Sequence, residues 1–172
     1  MKIPGSDEAI VVCAARREDM SAVVAIYNDA ALHTTATFDY DARTLEQQHE
    51  LFDEKAREGY GFLVAHGADG EVLGFCTYGL YRTRPGWRFA CEHSVYVAGH
   101  ARRRGIGRRL LLPLQEHARV RGFHTMVGVV DEGNAASLAL HHACGFETFG
   151  VLKEGGFKFD RWLDVALVGI RL

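Results

Sequence analysis

Arg102-Arg103-Arg104-Gly105-Ile106-Gly107-Arg108 stands between an extended apolar run, Ser94-Val95-Tyr96-Val97, and a stretch in which Leu110, Leu111, Leu114 and Ala118 keep helical spacing. The expected order is strand, tight turn, helix. Two glycines let the backbone turn and approach a ligand with no Cβ in the way. The first N–H groups of the helix and the positive end of its dipole favour a phosphate at that turn. Three consecutive arginines add charge that a diphosphate can use. The plainer reading is a solvated basic turn, because short glycine motifs recur by chance.

Other phosphate loops fit less well. A Walker loop needs Gly-Lys-Ser/Thr, and none follows Gly107. A dinucleotide loop needs a third glycine, and position 110 is Leu. What remains is Arg-x-x-Gly-x-Gly at 102–107, after a strand and before a helix.

Composition bounds the rest. The chain has 172 residues, 48% hydrophobic and 24% charged, which suits one domain over 1–172, with 1–8 as a loose tail. A net charge of −2 argues against a general binder of nucleic acid or anionic membrane, so the arginine cluster is a local feature. The first residues lack a signal-peptide apolar region and no run is long enough to span a bilayer, so a cytoplasmic location is expected. Cys13, Cys76, Cys91 and Cys144 are widely spread and read as reduced thiols. His141-His142-Ala143-Cys144 supplies too few ligands for a closed zinc site, so no metal is expected.

Periodicity predicts a short strand over 10–14 and a helix marked by Met20, Val23, Val24, Tyr27 and Ala31. Thr44 and Gln47 form a capping box that opens a second helix, stopped near Gly59. A hairpin of 62–65 and 72–81, turning at Ala68-Asp69-Gly70, leads to a strand over 91–97 and the main helix over 105–121. Strands over 125–130, 147–152 and 163–172, with a helix over 134–144, complete a mixed α/β sheet covered by helices on both faces. Pro113 falls inside the main helix, where it removes one hydrogen bond and tends to kink the axis.

The 102–107 loop in this context resembles the acyl-CoA loop of the GNAT superfamily. The resemblance narrows with Ile26-Tyr27-Asn28-Asp29, Glu92-His93-Ser94-Val95-Tyr96-Val97, Asn134-Ala135-Ala136-Ser137, Leu140-His141, Gly145-Phe146 and Gly156-Phe157-Lys158-Phe159-Asp160-Arg161-Trp162-Leu163-Asp164. Each motif is weak alone, but their order over 15–172 is similar to the phosphinothricin/methionine-sulfoximine N-acetyltransferase branch. It implies a GNAT fold of about six to seven strands splayed at the acyl-CoA site, acetyl-CoA as cosubstrate, a small amine as substrate, and a homodimer. Two departures stand out: Arg103 replaces a residue usually small or Gly, and Arg82-Thr83-Arg84-Pro85-Gly86-Trp87 varies from the usual Trp/Tyr-Arg-x form.

The resemblance assigns roles. An aliphatic amine is mostly protonated near neutrality and must lose a proton before it attacks a thioester. Glu92, at the start of the strand beside the thioester, is the expected base, a surface-strand glutamate paired to an arginine being the bland reading. Backbone N–H groups of Val95, Tyr96 and Val97 are expected to meet the thioester oxygen. Arg102, Arg103, Arg104, Gly105, Ile106, Gly107 and Arg108 are expected to hold the diphosphate, and Asn134 to reach the cofactor arm while capping its helix.

His141 holds a position where many relatives carry a tyrosine that protonates the departing thiolate. Imidazole suits that task, and a packed helix histidine fits equally well. Arg82 and Arg84, with Thr83 between them, are placed to clasp a substrate carboxylate, with Thr35 and Phe38 lining the other side. An acetyltransferase for a peptide N-terminus or aminoglycoside, and a non-catalytic acyl-CoA-binding module, remain as alternatives.

Overall fold

A computed structural model describes residues 10–172; the expected loose tail at 1–8 lies outside the described residues. The elements are β1 (Val11–Ala14), α1 (Met20–His33), α2 (Leu45–Glu58), β2 (Phe62–His66), β3 (Val72–Leu80), β4 (Ala90–Val97), α3 (Ile106–Val120), β5 (Thr125–Asp131), α4 (Ala135–Ala143), β6 (Glu147–Lys158) and β7 (Arg161–Arg171). They make a seven-stranded sheet in the order β1-β2-β3-β4-β5-β7-β6. Among the described residues only the β4/β5 pair is parallel.

Side-chain alternation sends each strand's residues to two cores. Phe62, Val64 and Phe75 pack with Met20, Val23, Tyr27 and Ala31 of α1. Cys76, Tyr78, Cys91 and Met126 pack on the other face with Leu110, Leu111 and Leu114 of α3. Helices therefore cover both faces, as the sequence implies.

The parallel pairing is short. β4 and β5 pair only as Ala90 with Thr125, Cys91 with Met126 and Glu92 with Val127. Beyond those residues β4 stays with β3, through Gly74 and Val97, while β5 stays with β7, through Asp131 and Val165. The sheet therefore splits next to Glu92.

Two expectations on local structure are revised. β6 runs to Lys158 rather than ending at 152, through register shifts near Thr148/Gly150 and Leu152/Gly156 that hide its period-2 pattern. It joins β7 through a two-residue turn, Phe159-Asp160, with φ of 51° and 53°. Such a turn normally carries Asn-Gly, which is why no turn signal is legible here. At Pro113, α3 continues without interruption to Val120.

The loop over 34–44 is pinned over the sheet from several sides. Asn28 exchanges two hydrogen bonds with the Arg43 backbone, at 2.8 and 2.7 Å. Tyr27 donates its hydroxyl to Asp39, and the Lys158 ammonium donates to the Thr37 carbonyl at 2.7 Å. Residues of the Tyr27-Asn28 motif thus fix the loop that carries Phe38.

Candidate active site

The split between β4 and β5 opens a cavity of about 250 Å³, lined among others by Phe38, Glu92, Tyr96, Gly128, Asn134 and His141. Strand alternation sets its chemistry. Glu92 shares a face with Tyr96, which packs edge-on to Tyr27 of α1. His93 lies on the opposite face, against His141 of α4. The cavity thus passes through the sheet, with a carboxylate on one side and imidazoles on the other.

Glu92 is half-buried. Burial raises its carboxyl above the ordinary carboxylate range, and Arg82 and then Lys55 pull it part of the way back. Burial in turn lowers the Lys55 ammonium. A carboxylate moved toward neutrality is suited to take a proton near the working pH.

His141 is 3% exposed. Its Nδ1 donates to the Ser137 carbonyl at 2.7 Å, and its Nε2 meets the His93 Nε2 at 2.9 Å. His93 Nδ1 donates to the Val127 carbonyl at 2.9 Å, so its ring occupies the point where the strands part. Burial, and next the charge of His141, push His93 down to about 3. Burial also lowers His141. The sequence motif assigns no role to His93. No local signal marks it, because its partners lie 34 and 48 positions away.

The 102–108 loop has the expected form of a tight turn entering a helix. Gly105 at φ 74° precedes the first turn of α3, and Arg103 takes φ 61°. That left-handed backbone explains why a small residue or Gly is usual at position 103. Arg102, Arg103, Arg104 and Arg108 are exposed, whereas Ile106 and Gly107 are buried. Gly107 differs from the expectation that its missing side chain serves the ligand. A Cβ there would come 2.6 Å from Leu140 Cδ2, so this glycine serves the packing of α3 on α4.

Asn134 caps α4, its Oδ1 accepting the Ser137 N–H at 3.0 Å, and lines the cavity. Val95 and Val97 pack their side chains on the α3 core, leaving the β4 backbone beside the split.

The expected substrate residues divide. Phe38 and Glu92 line both the split and a neighbouring cavity of about 440 Å³, which Arg82 also lines. Arg82 lies over the Tyr81 ring at 4.9 Å. Thr83 and Arg84 line neither cavity; Arg84 precedes the turn Pro85–Trp87 and its carbonyl accepts the Trp87 N–H. Thr35 points to Asp131, to which it donates, on the far side of the split. Lys55, unmarked in the sequence, is the added cation near Glu92.

The thiols are distant in character from this chemistry. Cys76 and Cys91 are buried, and burial pushes Cys91 up to about 12. Among the described residues no group of three or more His, Cys, Asp or Glu could hold a metal ion.

Comparison with known proteins agrees with this geometry. The family model described as Acetyltransferase (GNAT) family matches residues 21–146. The L-methionine sulfoximine/L-methionine sulfone acetyltransferase of Pseudomonas aeruginosa is 45% identical over 154 residues, covering 90% of each chain. The phosphinothricin N-acetyltransferase of Alcaligenes faecalis is 38% identical over 93% of this chain and 81% of its own. The solved structure of a phosphinothricin acetyltransferase from Sinorhizobium meliloti in complex with acetyl-CoA superposes with a TM-score of 0.91 at 32% identity, covering 95% of this chain and 88% of that one.

Proposed function

The chain belongs to the GNAT acetyltransferase family, and on that premise we propose that it acetylates the α-amine of a small amino acid or analogue of the methionine sulfone, methionine sulfoximine or phosphinothricin type. It is an acetyl-CoA-dependent N-acetyltransferase. The observation that carries the reading is the split sheet, with Glu92 on one face and His141 on the other of a single cavity.

Acetyl-CoA lies with its diphosphate over Arg102, Arg104, Gly105 and Arg108, against the N-terminus of α3. Its pantetheine arm runs along the free backbone edge at Val95–Val97, where N–H groups meet the thioester oxygen as charge develops there. Asn134 uses its oxygen as a cap and offers its amide N–H groups to the arm. The amine enters from the Glu92 side, gives up its proton to that carboxylate and attacks the thioester carbon. His141 returns a proton to the departing sulfur. Arg82 holds the substrate carboxylate, with Phe38 against the side chain.

The whole chain acts as one domain, cytoplasmic and homodimeric. The exposed apolar residues Leu152, Phe159 and Trp162 of the β6–β7 hairpin support a second copy packing there. A panel of amines with acetyl-CoA, followed by thiol release, tests the function. Methionine sulfone, methionine sulfoximine and phosphinothricin should turn over fastest. Faster turnover of an aminoglycoside or a peptide N-terminus would reject the substrate class.

A further inference from the structure

His93 and His141 make three short ring-nitrogen contacts, besides a longer one of 3.4 Å between His141 Nδ1 and the Ser137 hydroxyl. Each Nδ1 meets a backbone carbonyl, Val127 for His93 and Ser137 for His141, and the two Nε2 atoms meet each other at 2.9 Å. A carbonyl only accepts, so each Nδ1 must carry a hydrogen. The Nε2 contact needs one more, since otherwise two lone pairs would face each other at hydrogen-bond distance. Three contacts need three hydrogens, and two neutral imidazoles bring two. The third is an added proton, and with it one positive charge spread over both rings.

We propose that His93 and His141 act as one proton-holding pair, in which His93 keeps on His141 the proton that passes to the coenzyme A sulfur. This rests on the reading of His141 as the thiol's proton source; His93 touches no reacting atom and is a positioning residue.

The surroundings oppose a second charge. Both rings are buried, which opposes charge, and the charge of His141 lowers His93 further. The Phe146 ring packs against both imidazoles, with centroids at 5.0 and 5.2 Å, and so keeps this side of the pair dry. Glu92 of β4 lies on the other face of the strand. Asp131 of β5 and Asp39 of the 34–44 loop line the same cavity, and His142 of α4 is turned outward to Thr148. None of these carboxylates bonds to either ring among the described residues, so the shared proton is not neutralised locally and is available to an anion formed in the cavity. Gly128 lies against the pair and lines the cavity with it: a Cβ there would come 2.6 Å from His93 Cε1 and 3.3 Å from His141 Nε2. The Nε2 side of the pair therefore borders the cavity.

The step balances. The amine nitrogen, its proton given to Glu92, forms the C–N bond with its lone pair, and the second nitrogen proton leaves to solvent as the amide forms. The C–S bond breaks with its electron pair on sulfur. The pair's extra proton goes to sulfur, leaving free thiol and two neutral imidazoles, and solvent restores the proton.

The test combines nitrogen-15 histidine spectra of the full chain with the pH profile of kcat, using acetyl-CoA and methionine sulfone. Wild type should give a far-downfield N–H···N proton coupled to two ring nitrogens, which disappears on raising pH together with the alkaline fall in kcat. His93→Phe and the polar His93→Gln should both lose that resonance and lower kcat roughly a hundredfold. Both should shift the alkaline limb to lower pH and leave acetyl-CoA affinity near wild type. Two neutral rings at the pH of full activity would overturn the shared proton. A shared proton in wild type, together with an unmoved pH limb in a folded His93→Gln variant, would make the pair structural. Unchanged thiol release by His141→Gln, with the resonance intact in wild type, would instead remove the acid role assigned under the proposed function.

Discussion

Gly79 and Glu92 stand opposite each other across the β3/β4 ladder, and the side chain missing at Gly79 leaves the space that Lys55 fills. A Cβ at Gly79 would lie 2.5 Å from Lys55 Nζ. Cross-strand partners present their side chains on one face a few ångströms apart, so an ammonium from α2 is held beside Glu92, the base we propose.

This relationship sets the pH dependence of the base. Raised by burial, Glu92 should be protonated, and kcat/KM should fall, as pH drops through a value above the ordinary carboxylate range. Glu92→Gln should remove that acidic limb and cost roughly a hundred- to ten-thousand-fold in kcat, with acetyl-CoA affinity unchanged in calorimetry. Lys55 lowers the Glu92 carboxyl, so Lys55→Met should move the acidic limb to higher pH. A limb that moves down, or wild-type turnover by Glu92→Gln, contradicts the assignment.

The cofactor loop and its supporting glycine should separate experimentally. Arg102→Ala and Arg108→Ala remove exposed cations and should weaken acetyl-CoA binding without lowering Tm. Gly107→Ala should overpack against Leu140, destabilising by about 1–3 kcal/mol in chemical denaturation. Combining it with Leu140→Ala should cost less than the sum of the two single changes, because each makes room for the other.

Arg82→Lys keeps the charge but loses the planar fork, so it should raise the substrate KM and spare acetyl-CoA. Amidating the substrate carboxylate should have the same effect, and applying both changes should add little. Equal acetylation of the acid and its amide would refute the clamp.

The Phe159-Asp160 turn carries two left-handed residues without glycine. Replacing the pair by Asn-Gly should stabilise the chain by about 1–2 kcal/mol, seen as a higher denaturant midpoint at unchanged slope. A lower midpoint would mean that Phe159 makes a contact more valuable than the strain it carries, for example with a second copy.

Local signals determined the elements. The Thr44–Gln47 capping box, the Ala68-Asp69-Gly70 turn of the hairpin and the period of the main helix are set by neighbours a few residues apart, and each of these elements formed where its pattern lies. The Gly-x-Gly turn before a helix was legible for the same reason. Tertiary structure decided what depends on strands parting and on residues far apart in sequence. His93 is separated from His141 by 48 positions and from Val127 by 34, so nothing local distinguishes it from a packed histidine. Lys55 reaches Glu92 only because Gly79 leaves room across a ladder, and Gly107 faces Leu140 only once α3 and α4 have packed. Distinguishing Arg82 from Arg84 likewise needed the path of the chain through the turn at Pro85–Trp87. Sequence spacing fixes which face of an element a residue occupies, and only packing decides what that face meets.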